Sequence, residues 1–264
     1  METIDFFKYQ GTGNDFIMID GFNRVMNLFK LSVETIKKIC ARRLGVGADG
    51  LIILKKHPSL DFEMDYYNAD GSQSMCGNGG RCAVQFAKQL GIIKSAYHFL
   101  AIDGEHTATI EDNGWVHLKM KDVNKVDFVN EDYVLNTGSP HLIKFVEDVN
   151  KIDVAEEGKK IRYSDAYAEE GINVNFVQTL DHTTIFVRTY ERGVEDETLS
   201  CGTGVTAASI VSAHNDRGFN RIELRTRGGN LAVEFDKIDD ENFENIWLCG
   251  PAECVFEGKI EIKD

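Results

Sequence analysis

Cys76-Gly-Asn-Gly79 returns as Cys201-Gly-Thr-Gly204, 125 positions later in a chain of 264 residues. The same offset links Gly13 with Gly138 and Gly104 with Gly229. Gly47-Ala-Asp-Gly-Leu-Ile-Ile-Leu54 resembles Gly171-Ile-Asn-Val-Asn-Phe-Val-Gln178 at an offset of 124, and Tyr67-Asn-Ala-Asp70 matches Tyr190-Glu-Arg-Gly193 at 123. Five matches in one order, at a nearly constant offset, predict an internal duplication. A duplicated chain must build two similar halves, so each local motif is to be read twice.

Both halves carry the same local signals. Short β-branched and aromatic runs such as Phe16-Ile-Met-Ile19 and Thr184-Ile-Phe-Val187, bounded by Gly, Asn and Asp, predict strands. After the first C-G-x-G, Ala83, Phe86, Ala87 and Leu90 recur at helical spacing, and Gly91 ends the run. After the second, Val205 to Ala213 is small and apolar all round, which predicts a buried helix. Val33 to Arg42 predicts an additional amphipathic surface helix. The expected class is α+β, with two pseudo-symmetric domains, each a curved sheet wrapped around a central helix. The polar stretch Met120 to Lys125 is the expected boundary, giving a first domain of 1–119 plus 252–264 and a second of 120–251.

Composition excludes several functions. With 29 Lys+Arg against 43 Asp+Glu, the formal charge is −14, which argues against a nucleic-acid partner. The start predicts no signal peptide, and no apolar run approaches a membrane helix of roughly 18 residues. A soluble, intracellular protein is expected. Six cysteines lack C-x-x-C or close His spacing, so neither a disulfide framework nor a metal site is expected. Cys40, Cys82, Cys249 and Cys254 read as small buried hydrophobes. Gly11-Thr-Gly-Asn14 lacks the third glycine of a dinucleotide fingerprint.

Cys76 and Cys201 read differently, because each opens a helix. There the dipole favours thiolate, and a free thiol pKa near ~8.5 falls to roughly 3.5–7.5. The Gly77-Asn78 and Gly202-Thr203 steps leave backbone N–H groups open to a bound anion. If the copies are related by a pseudo-twofold axis, the two thiols meet across a cleft. A thiolate on one side of a carbon and a thiol on the other can invert it, by general acid–base catalysis with exchangeable roles. The helix-start N–H groups would meet the charge that develops on a neighbouring carboxylate. Asn14, Asn68 and Asn173, on glycine-rich turns, offer amides to an amino acid's carboxylate and ammonium. Arg192 suits a carboxylate and Glu191 an ammonium. For an isolated Asn or a Glu-Arg pair, a turn or a solvated surface is the commoner role, and His141 reads as a loop histidine.

These residues resemble the diaminopimelate epimerase family. The likeness rests on Gly11-Thr-Gly-Asn-Asp-Phe16, Asn68-Ala-Asp-Gly-Ser72, Cys76-Gly-Asn-Gly79 with Arg81-Cys82, Tyr190-Glu-Arg-Gly193, Cys201-Gly-Thr-Gly204 and Gly250-Pro-Ala252, between Asp5 and about Ile262. The resemblance implies two similar α+β domains, with the C-terminal strand returning to the first. It implies a cytoplasmic homodimer that interconverts LL- and meso-2,6-diaminopimelate for lysine and peptidoglycan synthesis, without cofactor or metal. It assigns Cys76 and Cys201 as the acid/base pair. Asn14, Asn68, Asn173, Glu191 and Arg192 bind substrate; Gly77, Asn78, Gly202 and Thr203 form the carboxylate-binding helix starts, and His141 lines the site.

Two positions depart from the family pattern. Gly138-Ser139-Pro140-His141 stands where Gly-Asn-Pro-His is common, turning an amide ligand into a hydroxyl. Gly50 stands where some members have Gln. Both concern the distal end of the substrate. The alternatives are a proline or hydroxyproline racemase or epimerase of the same superfamily, and a non-catalytic amino-acid-binding protein.

Overall fold

The computed structural model describes residues 2–22 and 31–262, which fall into two units, Met1–Leu118 with Pro251–Asp264, and Lys119–Gly250. In the first, β1 (Glu2–Gly11) and β2 (Asn14–Asp20) form an antiparallel hairpin. Thr12 and Gly13 join them with φ of 52° and 83°, a turn that glycine favours and that matches strand twist. Helix α1 (Val33–Cys40) then crosses to β3 (Gly50–Lys55), which runs parallel to β2. Strand β4 (Phe62–Asn68) turns back beside β3, and α2 (Gly77–Gln89) crosses to β5 (Tyr97–Ala101), parallel to β4. The antiparallel strands β6 (Gly104–Ile110) and β7 (Val116–Lys119) follow, and Glu253–Ile262 lies antiparallel along β1.

Strand alternation sends side chains to two cores. Ile17, Ile19, Leu51 and Ile53 pack with Ile36, Ile39 and Cys40 of α1. The opposite face carries Phe16 and Ile52, which lie against Gly79 of α2. Helix α2 touches strands β1 to β4 and β6, so the sheet bends around it. Its residues Asn78 to Val84 are all buried.

The second unit has β8 (Val126–Val129), β9 (Asp132–Asn136) and β10 (Pro140–Phe145), then α3 (Val154–Arg162), β11 (Asn173–Thr179), β12 (Thr184–Glu191) and β13 (Asp196–Thr198). Helix α4 (Gly202–Val211) precedes β14 (Gly218–Thr226), β15 (Gly229–Lys237) and β16 (Phe243–Gly250). Its pairings repeat those of the first unit. Strands β9 and β10 are antiparallel, β10 and β11 parallel, β11 and β12 antiparallel, β12 and β14 parallel, and β14 to β16 antiparallel. Helix α4 fills the core as α2 does, while α3 packs on the outer face through Val154, Val174, Phe176 and Tyr190. The α+β duplication read from the sequence is the observed fold.

Ladder register corrects one alignment. Phe16 pairs with Gly50, and His141 with Asn173. Since Phe16 and His141 are 125 apart, Gly50 corresponds to Asn173 at an offset of 123, not 124. A slip of one residue in a strand would swap its two faces, so the correct offset decides which residues line the helix side.

Candidate active site

Cys76 and Cys201 are the N-caps of α2 and α4, with φ/ψ of −131°/119° and −112°/111°. Each carbonyl accepts the first helical bond, from Gly80 N (2.8 Å) and Val205 N (2.9 Å). The N–H groups between lack intrahelical acceptors by helix geometry and carry the positive end of the dipole. Neither thiol caps its helix. Cys76 is half-buried and Cys201 is 7% exposed.

In the first unit the Cys76 thiol donates to Asn14 Oδ1 (3.4 Å), which also accepts from Asn78 Nδ2 (3.4 Å). The other end of the Asn14 amide donates to Asp49 Oδ2 (2.6 Å). A carboxylate only accepts, so this bond fixes which end of the amide faces the sulfur. Asp49 is held in turn: Arg42 bridges Asp49 (2.6 Å) and Asp15 (2.7 Å), and the Asp15 and Asp49 carboxylates each accept the other's backbone N–H (3.1 Å). Burial alone would raise the Asp15 carboxyl, but Arg42 and Lys8 outweigh it and hold it at about 2. Asn68 lies at the end of β4, accepting from Tyr66 Oη (2.8 Å) and donating to Ser72 and Ser74 hydroxyls (3.0 and 3.1 Å). The Asn78 side chain is buried and holds the Asn14 oxygen beside the thiol.

In the second unit, Ser139 stands where the repeat places Asn14. Asn175 Nδ2 donates to the Leu142 carbonyl (3.1 Å), so its amide is oriented, and to His141 Nδ1 (3.2 Å). Nδ1 is then an acceptor, and the ring proton sits on Nε2. His141 lies in β10 and is 0% exposed, not in a loop as expected; burial, with the Arg192 charge, pushes it down to about 3. Nε2–H donates to Ser139 Oγ (3.0 Å), which also accepts from Asn173 Nδ2 (3.2 Å). The Ser139 hydroxyl is left to donate to Thr203 Oγ1 (3.2 Å), and the Thr203 hydroxyl faces Cys201 Sγ (3.5 Å). Asn173 Oδ1 accepts from the Arg192 backbone N–H (2.9 Å), and Glu191 accepts from Thr198 (2.9 Å). The Arg192 guanidinium is exposed and donates to the Glu170 carbonyl (3.0 Å).

Thus Asn14, Asn78 and Cys76 assemble in one unit, and Ser139, His141, Asn173, Thr203 and Cys201 in the other. The sequence reading missed Asp49, Arg42 and Asn175. Asn173-Val-Asn175 was a legible signal, since polar residues two apart on a buried strand share one face. Gly50 has no room for a side chain: a Cβ would lie 2.4 Å from the Tyr66 ring and 2.5 Å from the Tyr67 carbonyl. Cys254 corrects a second expectation, being exposed on the C-terminal strand, where Glu253 to Glu257 are exposed in succession on both faces.

The duplicated sheet-and-helix unit defines a known class. The fold matches a PhzF-family phenazine biosynthesis protein of Bacillus anthracis (TM-score 0.69, 15% identity, 99% of this chain and 100% of that one). It also matches a probable proline racemase of Agrobacterium radiobacter K84 (TM-score 0.68, 13% identity, 98% and 93%). Within that class, the family model "Diaminopimelate epimerase" matches residues 6–126 and 133–255. A diaminopimelate epimerase of Flavobacterium psychrophilum is 54% identical over 257 residues, covering 96% of this chain and 99% of that protein. One of Aquifex aeolicus is 40% identical over 276 residues, covering 97% and 98%. The chain belongs to the diaminopimelate epimerase family.

Proposed function

We propose that the protein interconverts LL- and meso-2,6-diaminopimelate by a two-base reaction at one α-carbon. The observation that carries this reading is the pair of equivalent cysteines, each the N-cap of the central helix of its unit. Asn14 presents an acceptor to Cys76, which favours the thiol. Thr203 places a hydroxyl 3.5 Å from Cys201, a group that can donate to a thiolate or accept from a thiol. In one direction the Cys201 thiolate takes the α-proton as the C–H bond breaks, and the Cys76 thiol returns a proton to the opposite face. The reverse direction exchanges the roles. The α2 and α4 N–H groups stabilise the charge that builds on the α-carboxylate. Asn14, Asn68, Asn173, Glu191 and Arg192 hold the two zwitterionic ends, Gly77, Asn78, Gly202 and Thr203 supply the anion cradles, and Ser139 and His141 complete the lining. No metal or cofactor takes part. The protein works as a cytoplasmic homodimer in lysine and peptidoglycan synthesis, with no nucleic-acid or membrane partner; among the described residues, no helix is long and apolar enough to cross a membrane.

The test is incubation with LL-diaminopimelate, and separately L-proline, in deuterated water. The expected result is deuterium at the α-carbon of diaminopimelate alone. Exchange into proline alone indicates the proline-type reading, and tight binding of diaminopimelate without exchange indicates a binding protein.

A further inference from the structure

The two cysteines occupy equivalent positions, and beyond Asn14/Ser139 and Asn78/Thr203 their surroundings differ at a further residue that the repeat makes conspicuous. Asp49, just before β3, corresponds to Ile172 just before β11. Ile172 is a buried hydrophobe packed with Val154 and Val174, while Asp49 is a carboxylate clamped by Arg42. Asp49 holds the amide that meets the sulfur.

We infer that Asp49 is a positioning residue that makes the two thiols unequal, by locking the Asn14 carbonyl oxygen onto Cys76 and so keeping Cys76 protonated between turnovers. An unanchored asparagine can rotate by half a turn and present N–H to the sulfur, which would stabilise a thiolate there. With Asp49 as an obligate acceptor 2.6 Å from Nδ2, that rotation would set a carbonyl oxygen against a carboxylate. The clamp spans three elements: Lys8 of β1 and Arg42 after α1 pair with Asp15 of β2, and Asp15 shares Arg42 with Asp49. Cys40 of α1 is a further titratable group against it, raised to about 11 by burial. The second unit has no acid at this position, and Ser139 cannot mimic an oriented amide. Cys201 therefore rests as the base and Cys76 as the acid.

This inference rests on the two-base reading, but its test does not need turnover. The pH dependence of Cys76 alkylation by iodoacetamide is followed by peptide mass spectrometry in a Cys201→Ser background. Buried Cys82 and exposed Cys254 serve as internal references for folding. Asp49→Asn is expected to lower the pH midpoint for Cys76 by about one unit, about tenfold in thiolate population, because either end of Asn14 then satisfies residue 49. Asp49→Glu, which restores an obligate acceptor, is expected to move the midpoint back. In an Asn14→Ala background Asp49→Asn is expected to have no effect. An unchanged midpoint in Asp49→Asn overturns the inference. A shift that persists without Asn14 also overturns it, since the carboxylate would then act through space by its charge. Should Asp49→Asn make Cys82 reactive and so lose its fold, Asn14→Ala alone decides: it must lower the Cys76 midpoint, and no change there overturns the inference. Failure of the exchange experiment, with these shifts intact, would refute the epimerase reading and leave the positioning role standing.

Discussion

His141 shows how a single buried side chain links the candidate site to stability. Its ring is enclosed in β10 and neutral, with Nε2–H directed to Ser139. Burial lowers its pKa from 6.5 to about 3, so the unfolded chain takes up a proton more readily than the native one. The stability tied to the neutral ring is complete above pH 6.5 and is lost as pH falls towards 3. Between pH 7.5 and 5, calorimetric Tm of the wild type is expected to decline more steeply than that of His141→Gln. Parallel declines would contradict this account. The sequence singled out His141 but placed it in a loop, because Ser139-Pro140 reads as a turn; the pairing of Pro140 with Asn136 starts a strand there instead. Cys254 was misjudged because residues 253–257 are exposed in succession on both faces of their strand, and composition does not reveal which strand is left uncovered.

At the level of elements, α2 and α4 were legible because apolar spacing, the preceding C-G-x-G and the following glycine agree. Helix α3 was not anticipated. It has large apolar residues only at Val154 and Ile161, with Gly158 between them, so its helical period is faint. Its cap was readable, since Asp153 accepts from Glu156 N (3.1 Å). Gly158 is explained by packing: a Cβ there would lie 2.3 Å from Tyr190 Cβ on β12. Gly158→Ala is therefore expected to destabilise the protein by about 1–3 kcal/mol, although alanine is the better helix former. Urea unfolding measures this, and a gain in midpoint would show that α3 does not press on β12. The two helices of this kind also explain the drifting offset: the α1 crossover is two residues longer than the α3 crossover, and the β13 segment restores the difference before Cys201.

For the molecule as a whole, duplication provides two helix starts, and divergence has given them different neighbours. In the proposed two-base reaction, removing one proton and supplying another needs both thiols. Cys76→Ala and Cys201→Ala are each expected to lower interconversion of diaminopimelate isomers by at least about 10²–10⁴-fold, while Cys254→Ala remains near wild type. Chiral chromatography of the product mixture reads all three. Near-normal turnover in either of the first two would remove the two-base mechanism.

The sequence by itself determined the duplication, the α+β class, the two central helices and the cysteines that begin them. These are local or repeated signals, carried by spacing and by glycine positions. Only the tertiary structure decided which residues surround each thiol. Asp49 reaches Asn14 across 35 positions, and Asn175 reaches His141 across 34, through parallel strands joined by helical crossovers. Such contacts leave no periodic trace in the chain, because they are set by strand register and by which end of an amide its neighbours accept. The repeat therefore predicted two similar sites, and the folded chain gave them different neighbours, an anchored amide at Cys76 and a hydroxyl at Cys201.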